Sequence, residues 1–256
     1  MDSAEIRRKQ KEFIFPNVAT YYAEPLVMAD HHVVFKQAAR EIAAQHDKSI
    51  SFMSKIFSNE AGSSCHIHIS IFKEGRNLFW DADGKRGSAY FRQFLGGLLR
   101  YSREFSYFFA PTINAYKRYQ AGSFAPTRIA CGWDNRTCGF RLCGEGSGFR
   151  VENRIPGADA NPYLAFAATI AAGLHGVDKK LKPPKPYDGN AYEDPKLAQV
   201  PKTLREAIGE LERSKVAREA FGETVVKHYL HHGHLEQQAF DQSVTDWELV
   251  RLFERI

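Results

Sequence analysis

The sequence predicts mixed α and β structure, of either the α+β or the α/β class. Three observations point there. Alternating apolar and polar residues predict strands in the first third of the chain, short glycine- and arginine-rich strands fill residues 127–155, and helical periodicity flanks both regions. The chain has 256 residues, 43% of them hydrophobic, which is enough for a sizeable core in one large domain or two small ones.

The first elements follow from apolar spacing. Apolar residues three and four positions apart predict a helix over 26–46. Residues 49–56 and 65–72 are predicted strands, and Gly75-Arg76-Asn77 is the predicted turn that ends this strand pair. An apolar stripe over 88–108 predicts an amphipathic helix that faces the core.

Helices are predicted to follow the strands of 127–155. Asn161 is a suitable N-cap and Pro162 a suitable first helical residue, so a helix is expected from there to about Lys180. Its alanine-rich face implies close helix packing. A proline-rich irregular loop is predicted over 181–201. Closing helices are predicted over 203–213, 214–231 and 244–255.

Composition excludes several classes of protein. The net charge is only +5, and acidic and basic residues are interspersed, which argues against a nucleic-acid binder, as does the lack of a recognised binding module. Four cysteines without a Cys-x-x-Cys pair predict a reduced, cytoplasmic protein without a disulfide framework. No signal peptide or membrane-spanning run is expected.

A histidine-containing strand pattern is the most informative short motif. On a strand, His66, His68 and Ser70 share one face, while isoleucines occupy the other. Two imidazoles and a hydroxyl suit a metal ion and phosphate oxygens. A solvent-facing strand edge explains the same spacing equally well.

A second alternation places charges on one strand face. Arg150, Glu152 and Arg154 are two residues apart, so a carboxylate lies between two guanidinium groups and should stay ionised. Such a carboxylate suits Mg²⁺ or Mn²⁺. A surface ion-pair ladder is the alternative explanation.

Several motifs in order then carry a family resemblance. Residues 111–126 read PTINAYKRYQAGSFAP, Asn135-Arg136 and Arg141 follow, 150–156 read RVENRIP, and 161–168 read NPYLAFAA. This order resembles the catalytic domain of the glutamine synthetase family, the ATP-dependent glutamate–amine ligases, from about Leu26 onward. The resemblance implies an α+β fold with an antiparallel active-site sheet, a partial barrel, flanked by helices. It also implies ring-shaped homo-oligomers.

The resemblance implies roles for individual residues. His66 and Glu152 match metal ligands for Mg²⁺ or Mn²⁺. Arg136 and Arg141 match catalytic arginines that contact the phosphates. Gly62, Arg118 and Arg154 match contacts to the substrate glutamate. The matches with ATP-side positions are His68, Ser70, Arg141 and Arg150. The expected reaction joins an amine to the γ-carboxyl of glutamate through γ-glutamyl phosphate.

The expected amine is organic rather than ammonia. Ammonia-using members carry a glutamate just before Ala125-Pro126, where this chain has Phe124. Phenylalanine cannot bind a small cation by charge, although its ring can pack on a methylene chain or meet a cation. This favours the branch that resembles γ-glutamylpolyamine synthetases. The alternative is that Phe124 only packs.

The beginning of the chain departs from the family. The family's N-terminal β-grasp domain has no counterpart, so 21–256 is expected to be a truncated catalytic domain and 1–20 a divergent or foreign segment. A metal-binding glutamate of the family falls near Asn17, whose amide cannot replace it. A catalytically inactive structural or regulatory relative is therefore the alternative function.

Overall fold

The computed structural model describes residues 22–81 and 87–255. The predictions for residues 1–20, including Asn17, lie outside this part of the chain. Within it the α-helices are α1 (Pro25–Gln45), α2 (Ala89–Tyr101), α3 (Ser106–Phe109), α4 (Ile113–Tyr116), α5 (Pro162–Asp178), α6 (Leu204–Arg213), α7 (Lys215–Phe221), α8 (Glu223–Asp241) and α9 (Asp246–Leu252). The α+β class is confirmed.

The main sheet has four strands in the order β1-β6-β5-β4. They are β1 (Ile67–Ile69), β4 (Cys131–Trp133), β5 (Phe140–Cys143) and β6 (Arg150–Asn153). The β1–β6 and β6–β5 pairs are antiparallel, as predicted, whereas β4 and β5 are parallel. The β4–β5 connection begins at Asp134, whose φ of 48° lies in the left-handed region.

A separate hairpin joins β2 (Phe72–Lys73) and β3 (Arg76–Asn77). Its turn lies at Glu74 and Gly75, which both have positive φ, so the predicted turn at 75–77 is one to two residues too late.

The predicted strand over 49–56 is wrong, because no strand forms between residues 49 and 56. Lys55 is held by a side chain instead of a strand partner. Its N–H donates to Asn114 Oδ1 at 2.8 Å, and its carbonyl accepts from Asn114 Nδ2 at 2.6 Å. The side chain of Asn114 thus makes the hydrogen bonds to the Lys55 N–H and carbonyl groups that a neighbouring strand would otherwise make.

The helical predictions agree with the structure more closely than the strand predictions do. Asn161 caps α5 as expected, with its side chain accepting from Tyr163 and Leu164 N–H. The predicted helix over 88–108 ends at Tyr101, and the one over 214–231 is split by Gly222, which has a φ of 80°. The loop over 181–201 contains no helix or strand, as predicted.

Helices α2 and α5 approach closely through glycines. A Cβ built on Gly97 would lie 2.8 Å from Gly176 Cα, well inside van der Waals contact. This confirms the close packing expected from the alanine-rich face of α5. Both helices contribute to one buried core, which also contains Phe79, Phe140 and Phe149. Val151 and Leu142 of the sheet belong to this core, so it packs against the sheet face opposite Glu152.

Candidate active site

A row of polar side chains crosses the sheet at one level. Glu152 on β6 is opposite His68 on β1 and opposite Arg141 on β5. Side chains of directly opposed residues lie on the same face of a sheet. The register therefore brings together one predicted metal ligand and two predicted ATP-side residues.

Glu152 is the centre of this cluster and is only 3% exposed. Its Oε2 accepts from Arg141 Nη1 at 2.9 Å, and its Oε1 accepts from Arg154 Nη1 at 2.7 Å. Burial raises the pKa of Glu152, but the hydrogen bond from Arg141 and the charge of Arg154 offset this effect, so the pKa lies below its usual value. The carboxylate is therefore ionised at neutral pH.

His66, the residue that precedes β1, lies near the same carboxylate. Its Nε2 lies 4.0 Å from Glu152 Oε1 and 3.2 Å from Ser64 Oγ. Burial and the nearby Arg154 lower the pKa of His66 to about 3. The imidazole is thus neutral at pH 7, which is the form that binds metals. Its Nδ1 is buried without a hydrogen-bond partner.

His68 is fixed by Arg150. Arg150 Nε donates to His68 Nδ1 at 3.0 Å, which leaves the proton of the neutral ring on Nε2. His68 Nε2 lies 3.9 Å from Glu152 Oε1. Burial lowers the pKa of His68, and the neighbouring arginines add to this effect.

The donors available for a divalent metal ion are few. In the part of the chain that the structure describes, no three His, Cys, Asp or Glu side chains form a group that could hold a metal. His66 and Glu152 nevertheless fit such an ion chemically, as a neutral imidazole whose Nε2 faces an ionised carboxylate. Mg²⁺ commonly takes only one or two protein carboxylates and completes its shell with substrate phosphates and water.

Gly62 and Arg118 meet at the other end of the site. Arg118 is 2% exposed, its Nη2 donates to Ile155 O, and its guanidinium lies 4.8 Å from the centre of the Tyr119 ring. A Cβ on Gly62 would lie 2.5 Å from Ser54 O and 2.6 Å from Arg118 Cγ. Only glycine fits here, because a Cβ would overlap the Ser54 carbonyl and the Arg118 side chain.

Two predicted residues lie at the edge of this arrangement. Arg136 is exposed, although it is close enough to Arg154 to contribute to lowering the pKa of that guanidinium, which burial lowers most. Ser70 follows β1 directly and is partly buried, and no hydrogen bond joins it to Glu152 among the described residues.

The turn that contains Phe124 is held in place by its backbone. Phe124 has a φ of 59°, and its side chain is 68% exposed. Its carbonyl accepts from Arg154 Nη2 at 3.1 Å, and the next carbonyl, of Ala125, accepts from Tyr192 Oη at 3.0 Å. Arg154 thus connects the Glu152 cluster with this turn, and the ring of Phe124 extends into solvent.

Asp134 is a site residue that the sequence interpretation missed. Its Oδ1 accepts from Arg141 Nε at 2.8 Å and from Arg141 Nη2 at 2.5 Å. Arg141 is therefore held between two carboxylates, and the hydrogen bonds from it raise its pKa despite partial burial. The position of Asp134, just before Asn135-Arg136, was the available signal.

Comparison with known protein families shows which family the chain belongs to. The family model described as the glutamine synthetase catalytic domain matches residues 3–252. The chain belongs to the glutamine synthetase family. Of the residues named from the motifs, four lie beside Glu152: His66, His68, Arg141 and Arg154.

The relatives include ligases for organic amines. The chain is 51% identical over 240 residues to a gamma-glutamylethanolamide synthetase of Streptomyces coelicolor, covering 93% of this chain and 51% of the relative. It is 39% identical to a glutamate–isopropylamine ligase of a Pseudomonas species, covering 92% and 52%. A glutamine synthetase of Thermus thermophilus is 37% identical, with 90% and 54% covered.

Solved structures show the same fold. A complex of GmaS with ADP superposes with a TM-score of 0.84 at 31% identity, over 91% of this chain and 56% of that one. The chain thus spans about half the length of the relatives it matches. Among the residues that the structure describes, no helix is both long and apolar enough to cross a membrane.

Proposed function

We propose that this chain carries the catalytic residues of an ATP-dependent ligase that joins an amine to the γ-carboxyl of glutamate. One observation carries the proposal: the buried, ionised Glu152 lies between Arg141 and Arg154 and beside two neutral histidines. Guanidinium groups fixed by a buried carboxylate are preorganised donors for phosphoryl oxygens. Kinship with several glutamate–amine ligases supports the same reaction and favours it over an inactive relative.

In the first step, a γ-carboxylate oxygen of glutamate attacks the γ-phosphorus of ATP. The bond between that phosphorus and the bridging oxygen breaks, and ADP leaves with γ-glutamyl phosphate as the other product. Arg141 and Arg136 are proposed to stabilise the phosphoryl oxygens, and Arg150, His68 and Ser70 to bind on the nucleotide side. Positioning and charge stabilisation supply most of the catalysis in such transfers.

Arg118, Arg154 and Gly62 are proposed to bind glutamate. Arg118 is buried with Nε unpaired, which leaves a donor available for a carboxylate. Gly62 has no side chain and packs directly against Arg118 Cγ, so its backbone borders the same end of the site. Guanidinium groups recognise carboxylates through paired hydrogen bonds, so these residues are suited to orient the substrate.

In the second step, the amine nitrogen attacks the γ-carbonyl carbon. The C–O bond to phosphate breaks, phosphate leaves, and the nitrogen loses its proton to solvent. Phe124 offers an exposed aromatic face and no charge, which favours an organic amine or polyamine over ammonia. One relative is named for an ethanolamide product and another for isopropylamine as its substrate, and both names support this choice.

His66 and Glu152 would hold a Mg²⁺ or Mn²⁺ ion. When bound, such an ion neutralises phosphate charge during the transfer. Homo-oligomers, which the family resemblance implies, and a cytoplasmic location, which the lack of a Cys-x-x-Cys pair favours, are further proposals.

Phosphate release by the purified chain tests the proposal. The assay contains Mg-ATP and glutamate, with ammonia, ethanolamine, isopropylamine or putrescine added in turn. Release that depends on glutamate and on one amine supports ligation and identifies the acceptor. Absence of release with every amine, from a sample whose circular dichroism shows folded protein, favours the inactive alternative.

A further inference from the structure

A single carboxylate outside the predicted site connects two of its segments. Asp159 lies in the loop between β6 and α5. Its Oδ1 accepts from Ser54 Oγ at 2.5 Å, and its Oδ2 accepts from Thr112 Oγ1 at 2.5 Å. Each oxygen therefore fixes a different part of the chain, and Ser54 is completely buried.

Both partners lead to the Gly62–Arg118 end of the site. The carbonyl of Ser54 accepts from Ser63 N–H at 2.9 Å and lies against Gly62. Thr112 caps α4, with its hydroxyl accepting from Ala115 N–H, and α4 leads within two residues of its end to Arg118. Because Gly62 also lies against Arg118 Cγ, these contacts form a closed ring through Asp159.

The loop that carries Asp159 is itself firmly anchored. Gly157 N–H donates to Phe109 O at 3.0 Å, and Ala158 N–H donates to Ser63 O at 3.3 Å. On the other side, Lys36 Nζ donates to Ala158 O at 2.6 Å. Asp159 is thus fixed relative to α1, to the end of α3 and to Ser63, so its two hydrogen bonds help to define where the Ser54 and Thr112 segments lie.

We propose that Asp159 is a positioning residue that sets the spacing between Gly62 and Arg118, and so determines affinity for glutamate. This proposal deepens the proposed function and rests on the glutamate-binding role given there to Gly62 and Arg118. In the described part of the chain, no hydrogen bond joins Asp159 to a predicted ATP-side residue or to the Glu152 cluster. Its effect should therefore fall on one substrate.

Steady-state kinetics of the purified chain, with glutamate and ATP varied separately, test this selectivity. Asp159→Ala should raise the KM for glutamate about tenfold or more and leave the KM for ATP within about twofold. Asp159→Asn should restore the glutamate KM to within about threefold, because an amide can hydrogen-bond both hydroxyls. Equal changes in both KM values, or none, would overturn the proposal.

A matched control separates positioning from general destabilisation. Glu210 is also a partly buried carboxylate, and it accepts from Arg103 Nε at 3.0 Å and Nη2 at 2.8 Å. Glu210→Ala should lower thermal stability without changing the ratio of the two KM values. If Asp159→Ala does not fold, Ser54→Ala removes one of the two bonds, and a glutamate KM that stays unchanged then contradicts the proposal.

Calorimetric titration of glutamate separates this proposal from the reaction itself. A wild-type chain that binds glutamate but releases no phosphate contradicts the proposed reaction only. In that case, weaker glutamate binding by Asp159→Ala than by wild type supports the positioning role, and equal binding overturns it. A wild-type chain that does not bind glutamate overturns both.

Discussion

Glu152 and Arg141 lie opposite each other on β6 and β5, and Arg141 Nη1 donates to Glu152 Oε2 at 2.9 Å. The same carboxylate accepts from Arg154, which is only 4% exposed. Two guanidinium groups are thus paired with one buried negative charge, and Asp134 also holds Arg141. Removing the charge of Glu152 should weaken the positioning of both groups and leave Arg154 buried without an ionic partner.

Glu152→Gln tests this dependence with little change in shape. We expect phosphate release to fall by about 10²-fold or more, and the free energy of unfolding to fall by about 2–4 kcal/mol. Phosphate assays and urea titrations measure the two effects. Glu254→Gln, at an exposed position near the C-terminus, is the control and should match wild type. Turnover within threefold of wild type in Glu152→Gln would contradict the role given to this carboxylate.

The sequence predicted the members of this cluster but not their arrangement. Alternation within each strand placed His66 with His68 and Glu152 with its flanking arginines, because the side-chain period of a strand is local. The register that opposes His68 and Glu152 joins strands far apart in sequence, and no local pattern encodes it. Asp159 was missed for a related reason, since a single aspartate in a loop gives no periodic signal.

Phe124→Glu tests the choice of amine. Phe124 is a non-glycine residue that already has a φ of 59°, so glutamate adds a charge here without requiring a different backbone conformation. We expect the ratio of kcat/KM for ammonia to that for ethanolamine to rise by about tenfold or more. Competition assays with both amines measure this ratio. Phe124→Leu keeps the position apolar and should leave the ratio low, and an unchanged ratio in Phe124→Glu would mean that Phe124 only packs.

Gly97→Ala tests the close contact of α2 with α5. The added methyl group would lie 2.8 Å from Gly176 Cα, so the helices must separate. We expect the free energy of unfolding to fall by about 1–3 kcal/mol, measured by urea denaturation. Gly209→Ala in α6 is the matched control, because its nearest neighbour is Arg213 Nη1 at 3.5 Å. This control should be neutral or stabilising by up to about 1 kcal/mol, since alanine favours the helix. Equal effects at both positions would refute the explanation.

His32 on α1 makes stability depend on pH. Its Nε2 is buried without a hydrogen-bond partner, and burial, followed by the charge of Lys36, lowers its pKa to about 4 from 6.5. Between pH 6.5 and about pH 4 the unfolded chain binds a proton at His32 that the folded chain does not. The stability that depends on a neutral His32 is therefore fully present above pH 6.5, and it is lost as the pH falls toward 4. The loss should be on the order of 2 kcal/mol.

Urea titrations of wild type and His32→Phe at pH 7 and pH 4.5 measure this loss. Carboxylates with lowered pKa values, such as Glu152, also cost stability in acid, and they do so in both proteins. The informative quantity is therefore the difference between the two proteins, which should shift in favour of His32→Phe at pH 4.5 because phenylalanine takes up no proton. His31→Phe replaces an exposed histidine on the same helix and should keep the wild-type dependence. A difference that stays constant between the two pH values would mean that His32 is protonated in the folded chain as readily as in the unfolded one.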